Sequence, residues 1–498
     1  MSRPGGNTAN RPGGNTMNRP GGNTMNRPNN SMGNRPNNNM GNRPGGANTN
    51  HANTNMGHPG NNNRPGGNNM AHGNNSGHPG GNNMAHGNNA AHPGGNAPHG
   101  APGRNVSLHG GGTAHIRPNG QIRSVNRNGM HIEHGMHGGR TVVSNHNGVR
   151  VVSVGHRGGY VQRAYVVRGG HSYYSRTYYY HGVYRAGVYR GYYWGGHPYY
   201  GYYPAYYYHP VYYGWAYNPW PAPVYYSWGW APTPWYGYYG PYFAPYPVYP
   251  SAYFWLTDFM VAASLQAAYE AQAAANAELL PLTPDPTLVA SLMPLAAPDA
   301  PKATMSEEVK KAISEEVKST LAAEKTEAEK PKSTSSGSGG ASESKDPPPA
   351  LDVNFKYFVV SSDLSLEGDG DECALSQGDV IQRTSETPDD DSNIAVKVVA
   401  ATKNDCAIGK QGTVSMDDLQ EMYNSFRESL KDGMSELAKK NGTGGLPKAP
   451  DTGTSAGDVP PPDPDKNAEK TLQDQQAAAD QTEADVKKEA SSSSGGVQ

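Results

Sequence analysis

Charged residues divide this chain into a basic half and an acidic half. Residues 1–257 contain 19 arginines, no lysine and one acid, Glu133, whereas residues 258–498 contain 2 arginines, 20 lysines and 42 acids. The formal net charge of −2 is therefore the sum of halves that carry about +18 and −20. All 18 histidines precede Pro210, so mild acid makes the first half more positive. This separation predicts an interaction arm and a salt-sensitive attraction between the halves, within one chain or between chains.

Residues 1–103 are tandem repeats with almost nothing to bury. The arginines of the first repeat recur every eight residues, at Arg3, Arg11, Arg19, Arg27, Arg35 and Arg43. Each repeat offers at most one methionine as an apolar group, so the segment is predicted to be disordered. A fourteen-residue repeat follows, and its histidines are weak candidates for Cu²⁺, Ni²⁺ or Zn²⁺ binding, at His72, His78, His86 and His92. The alternative interpretation of this tract is a polar spacer.

Residues 104–190 carry short runs in which Val or Ile alternates with polar residues. The pairs Asn119-Gly120, Asn128-Gly129 and Asn147-Gly148 separate several of these runs. Asn-Gly between alternating runs is a strong hairpin signal, so the segment is predicted to be a β-hairpin meander. A meander with one apolar face is marginal alone. Residues 191–253, rich in Tyr, Trp, Pro and Gly, are predicted to be irregular, because Pro and Gly interrupt helices and ladders, and they offer a cover.

The acidic half is predicted to contain isolated helices and linkers around one folded module. Ser306 and Ser415 each precede an acidic first turn and a periodic apolar stripe, which is the pattern of a capped helix. The predicted segments are a helix at 254–280, a linker at 281–305, a helix at 306–329, a linker at 330–350, the module with its helix at 351–441 and a disordered tail at 442–498 with one weak helix near 467–489. Because 63 Gly and 42 Pro accompany only 6 Phe, the chain as a whole is predicted to be largely disordered.

Two stretches of the module resemble a known fold. Residues 374–381, followed by a hairpin and then residues 412–419, resemble the strand order of SH3-like barrels, in which a Leu-x-x-Gly-Asp-x-Ile strand opens the central sheet. The resemblance implies a small SH3-like β-barrel with a C-terminal helix. The same Leu-x-x-Gly-Asp-Val-Ile segment also resembles the turn and strand of PDZ domains, so both folds remain open. The Tyr/Trp/Gly-rich middle and the C-terminal module together resemble uncharacterised bacterial cell-envelope and secreted proteins, which implies no particular activity.

The only two cysteines, Cys373 and Cys406, both fall in the predicted module. One disulfide between them is expected of an extracytoplasmic protein, periplasmic or secreted. Two free thiols are the alternative and would suit the cytoplasm. The first residues lack the apolar run of a signal peptide, so the cysteine pair alone favours the extracytoplasmic location. No apolar run reaches the length of a membrane span.

The residue chemistry predicts an interaction protein rather than an enzyme. The module contains no histidine, so a catalytic triad would have to borrow one from the repeats, and no catalytic residue or cofactor is predicted. Arginine interleaved with tyrosine predicts self-association and contacts with anionic envelope polymers or peptides, with the candidates Arg163, Tyr165, Arg176, Tyr178, Arg190 and Tyr192. The same pairs suit phosphate contacts and base stacking, so a nucleic-acid-binding condensate former is one alternative. A His-rich metal-buffering protein is the other.

Overall fold

The described residues form two antiparallel sheets, a two-stranded pair and six α-helices. The computed structural model describes residues 103–136, 138–155, 158–180, 182–278, 303–330, 345–368, 371–403 and 405–493. All of them fall in the unit His92–Gln498. Residues 1–91, with three of the four metal candidates, His72, His78 and His86, precede that unit. His92 falls inside it but outside the described residues, like the others.

The basic half forms a ten-stranded antiparallel sheet, the large sheet, in which every strand pairs with its sequence neighbour. Its Asn-Gly turns hold Asn128 and Asn147 at φ 53° and 51°, the left-handed conformation that such hairpins need. The predicted antiparallel meander is therefore confirmed. The strands are β1 (Arg104–Ser107), β2 (Thr113–Ile116), β3 (Ile122–Arg127), β4 (Met130–His134), β5 (Arg140–His146), β6 (Val149–Val154), β7 (Gly159–Arg168), β8 (His171–Tyr180), β9 (Val183–Trp194) and β10 (His197–Tyr203).

The segment predicted to be irregular, 191–253, is more regular than its composition suggests. The large sheet continues into it through β10, because tyrosine favours strands and Gly195 and Gly196 supply the positive φ of the turn. Beyond the sheet lie β11 (Tyr206–Tyr208), α1 (Pro210–Tyr217) and α2 (Pro234–Tyr239). Their aromatic rings pack on the helices and the module rather than covering the meander as expected.

The two helices expected to be isolated are packed together. They are α3 (Ala252–Glu278) and α4 (Glu307–Glu329), and Ser306 caps α4 by accepting from Val309 N at 3.3 Å. The stripe of α4 at Ile313, Val317 and Leu321 is buried because the aromatic segment and the module cover it. Among the described residues, no helix combines the length and the apolar character needed to cross a membrane.

The module is a six-stranded antiparallel sheet, the small sheet, followed by a long helix. Its spatial order is β12-β15-β16-β17-β13-β14, and within the described residues no pairing joins the edges β12 and β14. The predicted SH3-like barrel is therefore not confirmed. A disulfide joins Cys373 and Cys406. The elements are β12 (Tyr357–Val359), β13 (Leu364–Gly368), β14 (Asp371–Leu375), β15 (Val380–Arg383), β16 (Asn393–Ala400), β17 (Gln411–Ser415) and α5 (Met416–Lys439).

The tail contains the weak helix predicted near 467–489, but it returns to the large sheet rather than being disordered. It contains β18 (Thr454–Ala456), which pairs with β11, and α6 (Ala468–Ser493). The apolar positions of α6 are few, but Leu472, Ala479 and Val486 are buried against the sheet. The composition of the tail alone predicts disorder, because the surface of the large sheet that buries α6 lies more than 300 residues earlier in the chain.

Candidate functional site: a cavity between the two halves

Each face of the large sheet is covered by a helix of the acidic half. Successive side chains point to opposite faces. We call the face that packs on α6 the tail face; on it, Val142 and Val151 lie beside residues such as Ala479 and Leu472. The opposite face carries the alternate side chains and turns toward α5, and we call it the cavity face after the cavity described below. The acidic half therefore encloses the basic sheet from both sides.

Ion pairs join the halves across both faces. Nine arginines of the large sheet and its turns lie within 3.7 Å of carboxylates of the acidic half. They are Arg117, Arg123, Arg127, Arg140, Arg150, Arg163, Arg176, Arg185 and Arg190. The predicted attraction between the halves thus operates within one molecule.

Arg176 is the most buried of these arginines, with a side chain that is 0% exposed. Its Nη1 and Nη2 donate to Glu421 at 2.7 and 3.0 Å, and its Nε donates to Gln162 at 3.0 Å. The rings of Tyr160 and Tyr189 each lie 3.8 Å from the guanidinium carbon. Burial would raise the pKa of Glu421, but Arg176 holds it below its usual value, so the pair stays charged.

Glu428 lies two turns further along α5 and accepts from two tyrosines. The Tyr178 hydroxyl donates at 3.2 Å, and the Tyr189 hydroxyl donates to the same oxygen. Burial raises the pKa of Glu428 to about 7, although Arg176 opposes that shift. Glu428 thus differs from Glu421, which has a guanidinium in direct contact.

A cavity of about 590 Å³ lies beside this cluster, between the cavity face, α5 and the small sheet. The sheet contributes His131, Glu133, Arg150, Tyr160, Tyr178, His197 and Tyr199, with Val143 and Val152 as apolar wall. The acidic half contributes Asp363, Asp391, Ser415, Asp417, Asp418, Glu421, Ser425 and Glu428. Both halves therefore build one polar site.

The start of α5 presents two carboxyl groups to the cavity. Ser415 caps the helix by accepting from Asp418 N at 3.0 Å, and its hydroxyl donates to the Asp418 carboxylate at 2.6 Å. Burial raises the pKa of Asp418 to about 7, and the nearby Glu133 adds to the shift. Asp417 lies 3.7 Å from Arg150 Nη2. One wall of the cavity therefore carries a carboxylate beside an arginine, Asp417, and a carboxyl group with a raised pKa, Asp418.

The polar groups that line the cavity are mainly carboxyl, hydroxyl and imidazole groups. No group of His, Cys, Asp or Glu among the described residues is arranged to hold a metal ion. The module contains no histidine, but His131 and His197 of the large sheet line the same cavity as Ser415. Ser415, however, is engaged with Asp418 as a helix cap, and His131 Nδ1 lies 2.7 Å from Asn126. The arrangement offers hydrogen-bond acceptors and negative charge.

The six Arg and Tyr interaction candidates lie in β7, β8 and β9 and contact other residues of the same molecule. Arg163 pairs with Asp465, and Arg176 with Glu421. Arg190 pairs with Asp346, and its guanidinium lies 5.0 Å from the Tyr192 ring. Tyr178 faces the cavity, and Tyr165 packs beside the core that contains Val459.

The acidic residues that α5 contributes to the site are not predicted from the sequence. Glu421, Ser425 and Glu428 follow a helical spacing of four and three residues, next to the apolar stripe of α5. Glu133, the one acid of the basic half, faces them from β4. Both signals are visible in the sequence, but their partners become apparent only when the halves are packed together.

Comparison with known proteins provides no precedent for this site. No protein-family model matches the chain, and no curated protein and no solved structure matches it either.

Proposed function

We propose that this chain is a non-enzymatic interaction protein of the bacterial cell envelope, and that its cavity docks a peptide or glycan strand. The cavity carries the proposal. Its volume of about 590 Å³ lies in the usual range of ligand sites, and polar groups of both halves converge on it. The Cys373–Cys406 disulfide supports an extracytoplasmic location, because such bonds persist in oxidising compartments.

Filling the cavity tests the docking role. Ser425 lines the cavity from α5, so Ser425→Trp places an indole in the ligand's space. Titration calorimetry of the full chain against soluble peptides and oligosaccharides should show probes that bind the wild type and lose at least about tenfold in affinity in the variant. Lys439→Trp, at the exposed end of the same helix, is the control.

Two outcomes would contradict this proposal. One is a panel in which no probe distinguishes the wild type from Ser425→Trp. The other is chemical turnover of a bound probe, detected by mass spectrometry of the mixture, which would make the protein an enzyme.

The self-association that the sequence predicts has a favoured surface at strand β1. The opposite edge of the large sheet, strand β10, is covered by α5. Its Asn424 donates to Tyr200 O and accepts from Tyr202 N, both at 2.8 Å. Within the described residues, the outer edge of β1 (Arg104–Ser107) has no strand partner. An exposed edge pairs readily with another strand, so two copies can join antiparallel at β1.

Light scattering of the full chain tests this pairing. The N–H of Ser107 points to the outer edge, because Leu108 N, its neighbour in the chain, donates inward to Gly112 O. We expect a concentration-dependent dimer that Ser107→Pro abolishes, because proline removes this outward donor and blocks strand approach. Ser107→Thr preserves strand propensity and should still dimerise. A dimer that survives Ser107→Pro would place the contact elsewhere. The nucleic-acid alternative is less supported, since the candidate arginines of the large sheet already contact carboxylates.

A further inference from the structure

We infer that the buried pair Asp258 and Lys310 is the site of an intramolecular amide bond, which joins helix α3 to helix α4 through their side chains. Neither residue lines the cavity or belongs to strand β1. The bond is therefore independent of the proposed docking function and of the pairing of copies, and it adds a covalent modification to the chain.

The two side chains meet in the aromatic core between the helices. Asp258 of α3 is 0% exposed, and Lys310, near the start of α4, is 3% exposed. Lys310 Nζ lies 3.4 Å from Asp258 Oδ1. The rings of Tyr246 and Phe243 lie 3.7 and 5.5 Å from the same nitrogen. An amine and a carboxyl group are thus held side by side, out of contact with bulk water.

The two carboxyl oxygens of Asp258 have different surroundings. Oδ2 accepts from the Tyr246 backbone N–H and from the Tyr249 hydroxyl, both at 2.6 Å. Oδ1 is buried without a hydrogen-bond partner among the described residues, and it is the oxygen close to Lys310. Two donors on Oδ2 form an oxyanion hole, because they stabilise the negative charge that develops there when a nucleophile attacks the carboxyl carbon. Oδ1 is then the leaving oxygen.

Burial favours the neutral forms of both groups. It raises the pKa of Asp258 to about 6 and lowers the pKa of Lys310, although each group opposes the shift of the other. A desolvated lysine is a good nucleophile, since the free amine carries a lone pair. In water the same two groups are ions and do not condense. The more exposed pair Lys325 and Glu329, on the same helix, lacks this environment.

The reaction is a condensation between neutral side chains. The Lys310 amine attacks the carbon of the protonated Asp258 carboxyl group, a C–N bond forms and negative charge develops on Oδ2. One amine proton passes to the Oδ1 hydroxyl, the C–Oδ1 bond breaks and Oδ1 leaves as water. No atom is oxidised or reduced. The resulting amide closes a ring of roughly 50 residues, so like a disulfide it restricts the unfolded chain.

Mass spectrometry of the full chain tests the inference. After denaturation and reduction of the disulfide, we expect an intact mass lower than that of the sequence by one water. Peptide mapping should recover Asp258 and Lys310 in one joined fragment. Lys310→Arg keeps the charge but cannot form the amide, so it should restore the full mass. Lys318→Arg, the same change at a half-exposed position of α4, should retain the loss of water. The wild-type map requires no variant, so it is decisive even if Lys310→Arg does not fold.

Tyr249→Phe tests the oxyanion hole. It keeps the buried ring but removes one of the two donors to Oδ2, and losing such a donor typically slows a reaction about 100-fold. In chains made by cell-free synthesis, the joined fragment should accumulate more slowly by about that factor in the variant than in the wild type. Equal far-ultraviolet circular dichroism of the two proteins would show that the fold is kept.

Three results would overturn the inference. Full mass with Asp258 and Lys310 in separate fragments would show an ordinary buried ion pair. A loss of water that persists in Lys310→Arg would place the modification elsewhere. An equal rate in Tyr249→Phe would exclude the oxyanion hole from the reaction. Ligand docking in the cavity is tested separately by Ser425→Trp, so each proposal can fail without the other.

Discussion

The two faces of the large sheet use the same residue types in opposite ways. On the cavity face, Arg176 is 0% exposed, lies between two tyrosine rings and pairs with Glu421. On the tail face, Arg163 is 42% exposed and pairs with Asp465 in a single contact at 2.9 Å. In the first pair the guanidinium is enclosed by protein and Glu421 is 31% exposed, whereas in the second pair the guanidinium itself is open to water. The contribution of an arginine–carboxylate pair to stability therefore depends on how deeply its arginine is buried.

The difference shows how a chain with segregated charge can fold into layers. Long-range attraction brings the acidic segments to the basic sheet, but attraction alone gives a salt-sensitive and imprecise contact. The tyrosines of β7, β8 and β9 change that outcome on the cavity face, because they exclude water from Arg176 and donate to Glu428. Desolvated and fully bonded charges fix one geometry far better than exposed ones.

The largest expected effect comes from breaking the buried pair. Arg176→Met keeps the length of the side chain but leaves Glu421 beside a neutral group in a partly enclosed site. Removing one partner of a fully buried pair typically costs about 3–5 kcal/mol. Because Glu421 is 31% exposed and regains part of its hydration, we expect the free energy of unfolding, measured by urea titration, to fall by about 2–3 kcal/mol, with loss of the near-ultraviolet signal of the tyrosine cluster.

Arg163→Met is the matched variant on the tail face. Partly exposed pairs contribute little, so its cost should stay below about 1 kcal/mol. Equal losses in the two variants would show that burial does not distinguish the faces, and the comparison would fail.

Local signals in the sequence predict much of this fold, and distant partners account for most of what they miss. Asn128-Gly129 and Asn147-Gly148 predict their hairpins because two adjacent residues are sufficient to define the turn. The cap at Ser415 is equally local. The helix α6 is different: its Leu472 and Val486 are too sparse to predict burial until the surface formed by Val125 and Ile132 is known. The cavity is hidden for the same reason, since its acids and its sheet residues lie in different halves.

The smaller predicted effect is an opposite response to acid of two carboxyl groups, Glu428 on the cavity face and Glu483 on the tail face. On the cavity face the folded-state pKa of Glu428 is raised from 4.5 to about 7, so the folded protein holds this proton more tightly than the unfolded chain. Its contribution to stability is therefore greatest below about pH 4.5 and is lost as the pH rises toward 7. On the tail face the pKa of Glu483 is lowered, because His134 and Arg140 outweigh the effect of its burial. That contribution is present above pH 4.5 and is lost below it.

Paired amide variants separate these responses. Thermal unfolding of the wild type should show a melting temperature that rises as the pH falls from about 7.5 to 5 and drops at stronger acid. Glu428→Gln should reduce the gain in the free energy of unfolding between about pH 7.5 and 5 by about 1–2 kcal/mol, because it removes one group that binds a proton on folding. The melting temperature of this variant should therefore rise less over the same range. Glu483→Gln should leave this rise unchanged and reduce the drop below pH 4.5. If Glu483→Gln flattens the near-neutral response instead, the opposite assignment of Glu428 and Glu483 is wrong.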